Sequence, residues 1–170
     1  WLANMWISNP DEMSKLRIVF ADRTPMADMK NEGSFETDDD GNGVMYINQK
    51  ELQNDPVGVF MHEAGHFARQ MMFTQEELMD LYGSLSEDER KQAFTEYFKK
   101  IPGKKYSSFS EQERAQIDKA YRRFTRKGLN KAAEEWFSYQ FVRVLSGGQV
   151  HPTVKSDMQN WLKKYAHPFL

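Results

Sequence analysis

Asp55-Pro56-Val57-Gly58-Val59-Phe60-Met61-His62-Glu63-Ala64-Gly65-His66-Phe67-Ala68-Arg69-Gln70-Met71-Met72-Phe73 is the stretch from which the fold is read. Asp55 is a good N-cap, and Pro56 suits the first helical position, where its missing N–H costs nothing. A helix is expected from there to about Phe73. Inside it, His62-Glu63-Ala64-Gly65-His66 forms a His-Glu-x-x-His pattern. Residues four apart lie one turn apart on one face, so both imidazoles can point at one ion. Glu63 follows His62 by one position, about 100° round the helix. It can lean over the ion's open position without being a ligand, and take a proton from a water there whose pKa the metal lowers toward 7.

On the N-terminal side, Lys15–Asp22 reads as a strand, rich in β-branched and aromatic residues. Gly33–Thr37 and Gly43–Asn48 read as a hairpin around Asp38-Asp39-Asp40-Gly41-Asn42-Gly43. On the C-terminal side every signal is helical. Thr74-x-x-Glu77, Ser86-x-x-Glu89 and Ser110-x-x-Glu113 are capping boxes. Gly83, Pro102-Gly103 and Gly128 mark ends, and a helix is expected over roughly Lys131–Leu145, stopping at Gly147-Gly148. Thr153 is expected to cap a last helix that ends before His167-Pro168. A small N-terminal twisted sheet followed by helices is an α+β order. The expected organisation is one domain over 1–170: sheet in 1–52, site helix in 53–73, helical insertion in 74–127, and a further helix pair in 128–170.

The 170 residues are enough for an ordinary core, and 39% apolar with 28% charged suits a folded chain. Zero Cys excludes a disulfide framework, a thiolate metal site and a Cys nucleophile. A net charge of −2 argues against nucleic acid as the main partner. Residues 28–55 carry eight acids and two bases, and residues 86–127 twelve bases and seven acids. Solvated faces are the ordinary explanation; opposite walls of a substrate cleft are the functional one. No apolar run is long enough to span a bilayer. The opening Trp1-Leu2-Ala3-Asn4-Met5-Trp6 lacks a secretion-signal pattern, so the chain reads as a domain of a longer protein, and its compartment is not set by the sequence.

A catalytic zinc takes three protein ligands and keeps one position open. The extended pattern with a third His on the same helix is absent: Arg69 and Met72 occupy those positions. His151 and His167 remain, both in or beside loops. The stronger candidates are acidic, in Glu134-Glu135-Trp136-Phe137-Ser138, at the edge of an apolar stripe of Ala133, Phe137, Phe141 and Val144. An acid there is costly unless something pairs it. Alternatively both acids serve the helix's N-terminal turn and its dipole.

His-Glu-x-x-His followed by Glu-aromatic-Phe-small resembles the zincin metallopeptidases of the gluzincin type. That group includes the catalytic domain of anthrax lethal factor and peptidase-like domains of phage and bacterial toxin polyproteins. The resemblance covers two short motifs and the strand-then-helix order. It implies a zincin-like fold, a Zn2+ cofactor held by His62, His66 and Glu135, and Glu63 as general base. The implied activity is zinc-dependent endopeptidase cleavage of a protein or peptide substrate through a water activated by the metal. The implied alternative is a catalytically inactive zincin-like scaffold or a toxin or phage module. The group also places a catalytic Tyr seven residues before the ligand Glu, where this chain has Gly128. Tyr106 and Tyr121 are then the candidates for the oxyanion role. The strand Gly43–Asn48 resembles the zincin edge that pairs with an extended substrate, with Met45 and Ile47 facing opposite to Val44 and Tyr46.

Two further patterns have ordinary explanations. Asp38-x-Asp40-x-Asn42-Gly43 mimics the start of a calcium loop, but Gln49 stands where the bidentate Glu belongs, so a hairpin turn is expected. Phe94, Tyr97 and Phe98 read as helix core, and the ten Met as core filler.

Overall fold

The computed structural model describes residues 10–21, 33–48, 56–99, 104–126 and 129–165. These form a three-stranded mixed sheet and, beyond a single helical turn at Pro10–Met13, six α-helices. The α+β expectation holds at that level. The strands are β1 (Leu16–Ala21), β2 (Gly33–Thr37) and β3 (Gly43–Asn48). The helices are α1 (Pro56–Met72), α2 (Gln75–Gly83), α3 (Glu87–Lys99), α4 (Glu111–Arg126), α5 (Leu129–Leu145) and α6 (Pro152–Tyr165). The chain divides into two compact units, Trp1–Met72 with Gln140–Leu170, and Phe73–Tyr139. Among the described residues no helix is long and apolar enough to cross a membrane.

In the first unit the sheet order is β1-β3-β2. β2 and β3 form the expected hairpin, antiparallel from Thr37↔Gly43 to Gly33↔Ile47. The Asp38 carboxylate closes its turn by accepting from the backbone N–H groups of Asp40 and Asn42 and from the Asn42 amide. These bonds, the one from the Asn42 N–H foremost, hold its pKa below the usual value. Gly41 at φ 81° supplies the left-handed residue of this turn. β1 pairs with β3 in parallel, from Leu16↔Gly43 to Ala21↔Asn48. β3 is therefore the central strand, paired along its length on both sides. This corrects the expectation of β3 as a substrate-pairing edge, because its backbone groups are already used. Val44, Met45, Ile47 and Asn48 are all buried, so β3 is covered on both faces where a one-faced strand would alternate.

α1 starts at Pro56 as expected; its proposed cap, Asp55, lies outside the described residues. The buried positions Val59, Glu63, Ala64, Phe67 and Ala68 recur at helical spacing, and α1 packs on β2 and β3. α5 closes as the glycines foretell. Gly147 is left-handed at φ 72°, and the Gly148 N–H donates to Arg143 O at 2.8 Å in a Schellman arrangement. α6 begins two residues earlier than expected. His151, not Thr153, is its cap: its Nδ1 accepts from the Thr153 N–H at 3.3 Å, and Pro152 takes the first helical position. Phe141 meets Trp161 edge-on at 5.6 Å, in a core with Val154, Met158 and Leu162.

The second unit is helical, and its three capping boxes form as read. In each, the Ser or Thr hydroxyl accepts from the N3 backbone N–H, while the Glu carboxylate accepts from the cap's own N–H. Ser110→Ala removes one such box at the start of α4. The expected cost is about 1 kcal/mol, read as a shift of the denaturant midpoint. Phe94 is the centre of the aromatic cluster, with ring centroids 5.3 Å from Tyr121 and 5.2 Å from Phe124. Phe98 departs from the core expectation. It stacks on Phe94 at 5.6 Å yet is 45% exposed, because it lies at the rim of the stripe. Gln92 fastens α3 to the segment before α4, accepting from the Tyr106 N–H at 2.7 Å and donating to Lys104 O at 3.0 Å. Pro102-Gly103 and Gly128 lie outside the described residues.

Candidate metal centre

α1 delivers the first part of the site by its own geometry. His62 and His66 are half-buried, with ring centroids 5.0 Å apart and planes at 86°. That is the one-turn juxtaposition the spacing requires. Phe35 of β2 stacks on His66 at 6.3 Å with the planes 15° apart, and meets Phe67 at 6.3 Å. Glu63 is only 5% exposed and lies over Gly33 of β2. One turn further on, the Gln70 amide donates to Gly41 O at 3.2 Å, tying α1 to the hairpin.

Glu134 and Glu135 stand on α5, both half-buried beside the buried Trp136. α5 begins at Leu129, two residues earlier than the sequence suggests, so its first turn contains no acid. The reading of these carboxylates as partners of the N-terminal turn is thereby corrected. Within the second unit, Glu135 lines a small cavity with Tyr82, Phe94, Tyr97, Phe124 and Trp136. Burial pushes the Tyr97 phenol up to about 12, and the negative charge of Glu135 adds to the shift.

Among the described residues, one group of His, Cys, Asp or Glu side chains could hold a metal ion: His62, His66 and Glu135. Each offers one ligand atom, and these lie within 4.8 Å of one another. Around a tetrahedral zinc with bonds of about 2.1 Å, ligand atoms sit roughly 3.4 Å apart. Two imidazole nitrogens and one carboxylate oxygen are a catalytic zinc donor set, with a fourth position left over.

The other expected residues are placed elsewhere. Tyr106 donates its hydroxyl to Asp118 at 2.9 Å, with Lys91 above the ring at 5.3 Å. Tyr121 packs on Phe94, and burial raises its pKa. Both belong to the second unit's aromatic cluster. His151 serves as the α6 cap, and His167 lies outside the described residues. The sequence reading missed Gly33, Phe35 and Tyr97. A glycine inside a strand pattern is a recognised mark of close approach and could have drawn attention to Gly33. Nothing local distinguishes Phe35 or Tyr97 from core aromatics. No family model, curated protein or solved structure matches the chain.

Proposed function

We propose that the chain is a zinc-dependent peptidase, with His62, His66 and Glu135 as metal ligands and Glu63 as general base. The observation that carries this is the two-imidazole, one-carboxylate donor group, with a buried carboxylate one residue along the same helix. A zinc ion held by His62, His66 and Glu135 would supply Lewis acidity to the attacking water and to the scissile carbonyl. Glu63 accepts a proton from the attacking water as its oxygen bonds to the carbonyl carbon. As the C–N bond breaks, Glu63 returns that proton to the leaving amine nitrogen. The substrate class is a protein or peptide. Gly128, in the position where the resembled peptidases carry a Tyr, favours a second reading, a metal-binding scaffold without turnover.

Metal analysis of the purified chain, paired with casein cleavage before and after chelation, tests the proposal. One zinc per chain is expected, with cleavage lost to the chelator and restored by added zinc. A chain that binds no divalent metal sinks the proposal. Stoichiometric zinc with no cleavage of casein or a mixed peptide library supports the scaffold.

A further inference from the structure

We infer that strand β2 is the positioning element of this centre, with Gly33 forming the bed of Glu63 and Phe35 orienting His66. The inference rests on the proposed metal reading and adds two residues to it.

Gly33 is not explained by backbone conformation, because it lies outside the left-handed region that Gly41 and Gly147 occupy. Space explains it. A Cβ built on Gly33 would fall 2.9 Å from both Cγ and Oε1 of Glu63, and 3.1 Å from Cγ1 of Val59. Real Cβ atoms essentially never approach so closely, so any side chain at position 33 displaces the Glu63 carboxylate or the helix carrying it. Glycine weakens a strand, and a β-branched residue would favour it. At this position the strand gives up that propensity and gains a closely seated carboxylate.

Phe35 lies two residues on and therefore on the same face of β2, toward α1. Its ring lies nearly parallel to that of His66, with centroids 6.3 Å apart. The two-residue step along a strand is about 6.8 Å, and the rise from Glu63 to His66 is about 4.5 Å. Despite the unequal steps, the contacts follow in the same order, glycine under the proposed base and aromatic ring against the proposed ligand. Gly43 keeps the arrangement in register, since a Cβ there would meet Phe35 at 2.8 Å and Phe67 at 3.0 Å. A ligand whose ring is fixed by a neighbour loses less side-chain freedom on binding metal.

The test loads the full chain with cobalt(II) and compares wild type, Gly33→Ala, Phe35→Leu and the control Gly83→Ala, whose added methyl meets nothing within 4 Å. Cobalt stoichiometry, Kd, the visible absorption band and the thermal melt are recorded for each. Gly33→Ala should melt cooperatively and bind one cobalt, but with an altered absorption band, because the carboxylate beside the open position has moved. Phe35→Leu should raise the cobalt Kd several-fold, and Gly83→Ala should match wild type. Should Gly33→Ala fail to melt cooperatively, the Phe35→Leu Kd decides alone. Wild-type bands and Kd values in both β2 variants, beside a wild-type chain that binds cobalt, overturn the positioning role and leave the metal reading intact. A wild-type chain that takes up no cobalt overturns the metal reading and this inference together.

Discussion

Glu63→Gln is expected to retain wild-type zinc content while losing about 10²–10⁴-fold in turnover. Glutamine keeps the volume and an acceptor oxygen but cannot take a proton at catalytic pH. The substitution is conservative for the fold. Glu63 is 5% exposed and bedded on Gly33, so an isostere fills the same space. Because glutamine matches glutamate in shape and volume, the melting temperature should stay close to the wild-type value. Lost cleavage with undiminished stability would separate a role in chemistry from one in packing. Zinc content by elemental analysis, casein cleavage and a thermal melt on the same preparation make the measurement. A variant that cleaves at the wild-type rate would remove Glu63 from the mechanism.

The second large effect is loss of the metal itself. His62→Ala, His66→Ala and Glu135→Ala should each abolish stoichiometric zinc and with it all cleavage, whereas Glu134→Ala should keep both. The adjacent carboxylates differ because only Glu135 belongs to the donor group with the two imidazoles. Metal binding also stabilises the native state by mass action. At free zinc a thousandfold above Kd that contribution is about 4 kcal/mol, and it should vanish in each ligand variant. The wild-type melt should therefore fall on adding chelator, while the ligand variants should not respond. His66→Ala carries an additional loss, because His66 also stacks on Phe35. A Glu135→Ala chain that binds zinc as tightly as wild type would return the third ligand to Glu134 or to a residue outside the described segments.

Much of the fold is legible because its signals are short-range. The three capping boxes, the Asp38 turn and the glycine stop of α5 each depend on contacts within six residues, and all form as written. Errors appear where a neighbour outcompetes the local signal. Thr153 has the right chemistry for a cap, but the Pro152 ring fits the first helical position, so the cap moves back to His151. α5 starts at Leu129, two residues before the expected Lys131. Phe98 obeys the helical period yet sits at the edge of its stripe, half-covered by Phe94.

Sequence alone determined the helix of α1 and, with it, the one-turn spacing that faces two imidazoles together. That spacing is a property of 3.6 residues per turn and needs no partner. Tertiary structure decided what lies against those side chains. β3 became the central strand through a parallel partner far away in the chain, which no local pattern encodes. Gly33 met Glu63, and Phe35 met His66, only once β2 lay across α1. Such contacts join residues about thirty apart, and their closeness follows from packing apolar faces rather than from any preference the residues have for their own neighbours.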